Sequence, residues 1–321
     1  MKTKISILLF LSIFIGLLYF LLMPQSYFFF SEKFDAWNSQ LIRSSLHSTR
    51  FLIDPCFKSN CYKSLTSKYP LDVVIPLVEK DLITAERTVE SVRAMILHPI
   101  ENIYIVAPES EKIRSFCQKQ GCIFILENDA VDDFEKIRKQ GGWILQQFIK
   151  LNADRYTKSE NILVVDGDTV FLRPQVFIND RKKIYTFHIH SDYTDLRKKF
   201  TRDLLKTSRY FKLDFISHHM VLNRTWLKEL KEKISELHNC SWQQAILNQL
   251  TSNRNGFSEY DIYATYVFLK YRSFTRLFSS ANTFIFRDKF QFFDLYRPIY
   301  SSDYKSISSH SFSSFKNYTQ P

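Results

Sequence analysis

Buried-type strands alternate with amphipathic helices between residues 71 and 168, and this alternation limits the fold more than any other feature of the chain. The first apolar run opens at Leu71 and stops at Pro76, and further runs follow after helix-like segments. Strand and helix units repeated in this way join parallel strands. The sequence therefore predicts an α/β fold with an open, mostly parallel sheet covered by helices on both faces. The other predicted strands span 101–108, 122–128, 161–168, 183–190 and 214–222, and the predicted helices span 84–96, 111–120, 141–156, 224–238, 242–251 and 259–270.

Residues 5–23 form an uninterrupted apolar run that is long enough to cross a bilayer as one helix. Lys2 and Lys4 precede it and the next basic residue is Lys33, so the positive-inside rule predicts a single-pass membrane protein with a cytoplasmic N-terminus. No small-residue cleavage site follows Met23, which favours an uncleaved signal-anchor over a removed signal peptide. The predicted divisions are an anchor over 1–23, a stem over 24–70 and a folded domain over 71–321.

The 321-residue chain carries 44 Lys and Arg against 33 Asp and Glu, and its net charge of +11 suits an anionic partner such as a membrane surface or a nucleotide. Because the basic residues are scattered rather than gathered with aromatic side chains in one run, no nucleic-acid partner is expected. The six glycines cannot form a dinucleotide fingerprint or a phosphate-binding glycine loop. A phosphate group would therefore have to be held by basic side chains, by helix N-termini or through a carboxylate-bound cation.

The segment NILVVDGDTVFLRP carries the strongest chemical signal, because Asp166 and Asp168 come directly after a buried-type strand. In an extended chain, residues two apart project to the same side, so both carboxylates can face one cation. Open α/β sheets bind ligands at the carboxyl ends of their strands, and hard oxygen donors suit Mg²⁺ or Mn²⁺. The sequence predicts a divalent-cation site that grips a substrate diphosphate. The alternative, in which Asp-Gly-Asp is only a turn, stays open.

The chain resembles the GT-A class of nucleotide-sugar glycosyltransferases in the order of three motifs, VVIPLVEKDL, IYIVAP and VVDGDTVFLRP. It is more closely similar to a little-characterised GT-A-like family of unassigned specificity in GGWILQQFIKL, SHHMVLNRTWLKEL, CSWQQAIL and FSEYDIYATYV. The resemblance implies a GT-A-like catalytic domain with a nucleotide-binding half over 71–170 and an acceptor half over 171–321. It also implies transfer of a sugar from a nucleotide-diphosphate donor to a hydroxyl of a glycan or lipid-linked acceptor, with Mn²⁺ or Mg²⁺ as cofactor.

By the same resemblance, Asp168 is the principal metal ligand and Asp166 contacts the metal or the ribose. The segment after the first strand would lie near the nucleotide, and its candidate residues are Pro76, Val78 and Glu79.

GT-A enzymes often use a histidine as a further metal ligand, and two positions here could supply one. His218 and His219 close a predicted strand, and since adjacent strand residues point to opposite sides, at most one of them reaches the cation. We choose His219. His310, in the polar C-terminal tail, could supply the same ligand from a closing segment. A hydrogen-bonded structural histidine or an exposed tail is the alternative for these positions.

Two acidic residues stand at a predicted helix start after Ser258, where Ser-x-x-Asp is also a capping box. Capping accounts well for Asp261, which is retained as a second catalytic candidate. Capping has less need of Glu259, so we expect Glu259 to be the general base toward the acceptor hydroxyl or to bind the acceptor.

A polar face along the predicted helix 141–156 could reach the donor phosphate or sugar. Its members are Trp143, Gln146, Gln147 and Lys150. Packing in the core is the favoured alternative for Trp143.

Other functions and locations follow from the same residues. The fragment ILVVDGDTV also fits the nucleophile motif of haloacid-dehalogenase-like phosphatases, with Asp166 as nucleophile and Asp168 as acid, although that motif normally opens its domain. A non-catalytic nucleotide-sugar-binding protein would keep the fold without turnover. The predicted topology places the domain in a Golgi or endoplasmic-reticulum lumen in a eukaryote and at the inner membrane in a bacterium.

Overall fold

The computed structural model describes residues 66–180, 182–189, 195–208, 214–279 and 282–309. The predicted anchor at 5–23, most of the predicted stem and His310 lie outside these ranges. Within them, no helix is both long and apolar enough to span a membrane.

A five-stranded sheet forms the centre of the domain. In chain order the strands are β1 (Leu71–Pro76), β2 (Ile100–Ala107), β3 (Ile123–Leu126), β4 (Asn161–Val165), β5 (Thr169–Phe171), β6 (Ile178–Asn179), β7 (Ile184–Ile189), β8 (His219–Asn223), β9 (Thr275–Ser279), β10 (Asn282–Phe284) and β11 (Ser306–Ser308). The central order is β3-β2-β1-β4-β8, in which the first four strands are parallel and β8 is antiparallel to β4. The predicted α/β fold with a mostly parallel sheet is thus confirmed.

Helices connect these strands. They are α1 (Leu82–Met95), α2 (Glu111–Gln120), α3 (Glu127–Ala130), α4 (Phe134–Arg138), α5 (Gly142–Leu151), α6 (Ala153–Tyr156), α7 (Asp195–Leu205), α8 (Arg224–His238), α9 (Trp242–Leu250), α10 (Glu259–Lys270) and α11 (Phe293–Asp303). The Ser110 side chain accepts a hydrogen bond from the Ile113 amide at the start of α2, and Gly121 ends that helix with a φ of 59°. Serine at the start of a helix and a left-handed glycine at its end are both common capping residues.

The strand order reverses between β1 and β4. From β1 the chain winds outward through β2 and β3, and then returns to β4 on the other side of β1. Because crossovers between parallel strands are right-handed, α1 and α2 lie on one face of the sheet and the helices that precede β4 lie on the other. Ligands of open α/β sheets bind outside the carboxyl ends of the strands at such a reversal. The fold therefore predicts a ligand site outside the carboxyl ends of β1 and β4.

Two small sheets flank the central one, in the orders β10-β11-β5 and β6-β7-β9. The first encloses a second apolar core, separate from the main one. Its buried members are Val170, Leu172, Ile285, Phe290, Phe293 and Ile307.

Some element boundaries differ from those that the sequence predicts. The predicted helix 141–156 is broken at Asn152, between α5 and α6. The predicted strand 161–168 ends at Val165, because the Thr169 amide donates to the Asp166 carbonyl oxygen (3.0 Å) and closes a β-turn. The strand expected at 214–222 begins only at His219. Elements that the sequence argument did not predict are α3, α4, α7, α11, β5, β6, β9, β10 and β11.

Candidate functional site

The DGD turn, residues 166–168, lies at the carboxyl end of β4 beside the end of β1. A Cβ atom on Gly167 would lie 2.9 Å from the Pro76 carbonyl oxygen and 3.2 Å from Leu77 Cδ1, so only glycine fits this approach. The hydroxyl groups of Thr84 and Thr88 on α1 each donate to the Gly167 carbonyl oxygen at 3.2 Å. The turn is therefore fixed to both β1 and α1.

Asp166 belongs to a buried group of side chains that we call the Lys150 cluster: Lys150, Asp166, His218, Glu259 and Tyr260. The Lys150 ammonium donates to Asp166 Oδ1, to Glu259 Oε1 (2.7 Å) and to the Tyr260 hydroxyl oxygen (3.1 Å). The Tyr260 hydroxyl donates to Asp166 Oδ1 at 3.3 Å, and His218 Nδ1 lies 3.1 Å from Asp166 Oδ2. The cluster joins α5, the DGD turn, the start of β8 and the start of α10.

Electrostatics keep the Lys150 and Asp166 pair of this cluster charged. Burial lowers the pKa of Lys150, but Asp166 and Glu259 outweigh burial and raise the pKa well above its ordinary value. Burial likewise raises the pKa of Asp166, but Lys150 and His218 lower it below its usual range. Both groups of the pair are therefore ionised at neutral pH.

Asp168 has a different cationic neighbour. Its Oδ2 lies 4.0 Å from an Arg287 nitrogen, and its side chain is 15% exposed, close to the 17% of Asp166. The expectation that both carboxylates project to one side of an extended strand is wrong, because the two residues lie in a turn. Each carboxylate instead faces its own cation.

The two adjacent histidines point to different surroundings, as expected. However, His218 and not the chosen His219 faces the DGD turn. His219 is buried among Phe171, Phe177 and His188, and neither ring nitrogen has a hydrogen-bond partner among the described residues. Burial lowers its pKa to about 3. His218 is the histidine that faces Asp166, and it does so in a left-handed conformation with a φ of 62°. The geometry does not support His219 as a ligand at the DGD turn.

The start of α10 places its two acidic residues differently. Glu259 is buried and paired with Lys150, and its amide donates to Gln147 Oε1 at 3.1 Å. The carboxylate of Asp261 turns away and accepts from the Phe215 amide (2.7 Å), while its own amide is capped by Ser258 Oγ.

Burial and the neighbouring Asp214 raise the pKa of Asp261 to about 7. Its Oδ2 is buried without a partner in the described part of the chain. The structure therefore brings Glu259 to Asp166 through Lys150 and does not bring Asp261 there.

The segment after β1 is only partly directed at the DGD turn. Pro76 contacts Gly167 through its carbonyl oxygen, and Val78 is exposed. The Glu79 carboxylate accepts from Ser110 Oγ (2.6 Å) and Lys112 Nζ (2.9 Å), and these contacts lower its pKa. Glu79 thus faces the start of α2.

Helix α5 presents its candidate residues over two turns. Lys150 and Gln147 are buried against α10, and Gln146 is half-buried. Trp143 is 53% exposed, so the core position favoured for it is wrong. Its spacing from Gln147 and Lys150 places it on the same face of the helix, about 10 Å from Lys150 along the axis.

The donor set suits a divalent cation only in part. Within the described ranges, no group of three or more His, Cys, Asp or Glu side chains is arranged to hold a metal. The DGD turn offers two carboxylates, and Mg²⁺ commonly takes one or two protein carboxylates together with substrate phosphates. The turn therefore fits a cation that binds together with a diphosphate, not one caged by the protein alone.

Sequence reasoning missed Tyr260, Asp81 and Arg287 at this edge of the sheet, and of the two adjacent histidines it chose His219 over His218. The antiparallel pairing of β8 with β4 sets His218 opposite Asp166, and this pairing is a property of the fold that the local sequence does not show. β8 is buried along its whole length, so its side-chain pattern does not separate the two faces. No local sequence pattern marks Arg287 as a site residue, because it reaches the site only through contacts with residues distant in the sequence, such as Asp81.

The sequence matches a family of unknown function, DUF6492, over residues 71–294. This match covers more than half of the chain, and the protein belongs to that family. Curated proteins give no match.

Three solved structures are similar in chain path. Mouse xyloside xylosyltransferase 1, in its apo form, aligns over 77% of this chain and 99% of its own at 13% identity and a TM-score of 0.44. The galactosyltransferase LgtC, in complex with donor and acceptor sugar analogs, aligns over 75% and 88% at 13% identity and a TM-score of 0.42. The glycosyltransferase GlyE of Streptococcus pneumoniae aligns over 77% and 55% at 10% identity and a TM-score of 0.38. All three TM-scores are below 0.5, so these similarities carry no functional argument. The function proposed below rests on the sheet and side chains of this chain.

Proposed function

We propose that the protein is a metal-dependent glycosyltransferase of the GT-A type, which moves a sugar from a nucleotide-diphosphate donor to a hydroxyl of a glycan or lipid-linked acceptor. The observation that carries the proposal is the position of the DGD turn at the reversal of strand order between β1 and β4. A chain with so few glycines needs another way to hold a diphosphate, and carboxylates at this edge supply one.

Asp168, with Asp166 beside it, would hold the cation, which when bound neutralises charge on the departing diphosphate. Lys150 orients Asp166, since it donates to one carboxylate oxygen while His218 contacts the other. Glu259 holds Lys150 from the opposite side. A buried carboxylate engaged by an ammonium is poorly placed to take a proton from an acceptor, so the geometry favours this supporting role over the general-base role.

The position of the motif in the fold disfavours the phosphatase alternative. In those phosphatases the motif normally opens the domain, whereas β1, β2 and β3 precede Asp166 here. Anchoring through residues 5–23, with the domain beyond the membrane, stays a prediction.

The test is donor turnover by the full-length protein. A panel of nucleotide sugars with Mn²⁺ should include at least one donor that is hydrolysed or transferred, and Asp168→Ala should lower that rate at least about a hundredfold, as for a group that stabilises leaving-group charge. Asp203→Ala, on the exposed side of α7, is the matched control and should keep the wild-type rate.

Full activity of the Asp168→Ala protein would contradict the proposal. Tight nucleotide binding without turnover of any donor would favour a non-catalytic protein. A phosphate trapped on Asp166 would favour the phosphatase.

A further inference from the structure

Arg287 connects three segments that are far apart in the chain. Its guanidinium donates to the Asp81 carboxylate and to the Lys80 carbonyl oxygen (3.2 Å), both in the short helix that follows β1. The same group donates to the Ser309 carbonyl oxygen (2.9 Å) and lies 4.0 Å from Asp168 Oδ2. Arg287 therefore touches the segment after β1, the end of β11 and the DGD turn.

The C-terminal segment, residues 282–309, meets the DGD turn through further contacts. β11 is antiparallel to β5, so that Ser308 lies opposite Thr169, and their hydroxyl groups are 2.9 Å apart. The Ser309 amide donates to the Asp168 carbonyl oxygen at 3.0 Å. The main chain of Asp168 is thus held by the C-terminal segment, and its side chain faces an arginine from that segment.

The positive charge of Arg287 lies close to two negatively charged carboxylates. Asp81 and Asp168 both face its guanidinium, so one cation stands between two carboxylates. Both carboxylates are partly buried, so loss of the guanidinium would remove the positive charge that each of them faces and would weaken the contact between the C-terminal segment and the DGD turn. A planar group with five donors can bond to several acceptors at once, which a lysine ammonium does less well.

We propose that Arg287 is a positioning residue, a clamp that docks the C-terminal segment onto the DGD turn and fixes Asp168 for diphosphate binding. This inference rests on the proposed function for the diphosphate and on the contacts above for the clamp. If Arg287 acts in this way, the site includes residues outside the part of the chain that matches the family. That match ends at residue 294, and β11 and Ser309 follow it.

The test combines hydrogen exchange with binding, in the full-length protein without added metal and then with Mn²⁺ and a nucleotide diphosphate. In Arg287→Gln, amides of β5 and β11 should exchange at least about tenfold faster than in the wild type, while β2 amides should not change, as for a local opening. Arg87→Gln is the matched control. Arg87 pairs with exposed Asp294 in the same C-terminal segment, so its loss should leave exchange at the DGD turn unaltered.

A double-mutant cycle that combines Arg287→Gln with Asp81→Asn measures the contribution of the Arg287–Asp81 ion pair to the clamp. If Arg287 acts through Asp81, the double variant should exchange no faster than the faster single variant. Arg287→Lys should recover only part of the protection, and nucleotide-diphosphate affinity in Mn²⁺ should fall in the same order, with Arg287→Gln at least about tenfold weaker than wild type.

Unchanged exchange at β5 and β11 in Arg287→Gln would overturn the clamp, and so would an equal acceleration in β2 or full recovery by lysine. Failure of the wild type to bind any nucleotide diphosphate would instead remove the proposed function, and the exchange measurements would still decide the clamp.

Discussion

Lys150 shows how one buried side chain organises the candidate site. Its side chain is 3% exposed and lies between the carboxylates of Asp166 and Glu259. Removal of one partner from a buried ion pair costs about 3–5 kcal/mol, because the other charge is left without compensation. The cluster thus has a structural role beside the proposed chemical one, and its variants need a fold measurement beside an activity measurement.

The adjacent histidines give a sharp comparison, since the same substitution has different consequences at each. The folded-state pKa of His219 lies below its unfolded value of about 6.5, so its stability contribution is complete above that pH and is lost as pH falls. Between pH 7 and pH 5 we expect it to account for a loss of about 2 kcal/mol in the free energy of unfolding. His219→Leu should remove that part of the pH dependence, as measured by urea unfolding at several pH values.

His218→Leu should keep the part of the pH dependence that is due to His219 and should instead weaken nucleotide-diphosphate binding, because it removes the contact to Asp166. A pH dependence unchanged by His219→Leu, or binding unchanged by His218→Leu, would contradict these assignments.

At the scale of elements, the sequence predicts the central strands well because they are continuous apolar runs with clear boundaries. β1 and β4 are buried along their whole length, and Asp166 marks the end of β4. It predicts β10 and β11 poorly, because strands of three residues owe their pairing to contacts with β5 and to a small separate core. α7 did carry a local signal, since Phe200 and Leu204 are buried at helical spacing.

The DGD turn provides the prediction at this scale. Gly167→Ala should lower the free energy of unfolding by about 1–3 kcal/mol, because the new methyl group would contact the Pro76 carbonyl oxygen and Leu77. It should also weaken nucleotide-diphosphate binding by moving β4 away from β1. Urea unfolding and a binding titration measure the two effects.

Gly142→Ala at the start of α5 is the control, since nothing lies within 4 Å of its added methyl group. There the free energy of unfolding should be unchanged or should rise by up to about 1 kcal/mol. Equal effects at the two glycines would mean that the close approach of β1 and β4 is not what requires Gly167.

At the scale of the whole molecule, the site is assembled from both ends of the domain. The fold brings α5, the DGD turn and α10 together at one edge of the sheet, and the C-terminal segment contacts the same turn. Sequence reasoning named Lys150, Asp166 and Glu259 separately, from a helix face, a strand end and a helix start. It could not join them, because their contact depends on how α5 and α10 pack. The net charge of +11 suits an anionic donor but does not choose one.

The most direct test of the central claim is a calorimetric titration of a nucleotide diphosphate into wild-type and Asp168→Asn protein, each with and without Mn²⁺. The substitution keeps the size of the side chain and removes the charge that would hold the cation. We expect the wild type to bind with Mn²⁺ and to lose most of its affinity without it, and Asp168→Asn to bind at least about tenfold more weakly with Mn²⁺ present. Binding of equal strength with and without Mn²⁺, or in both proteins, would contradict a cation held at the DGD turn.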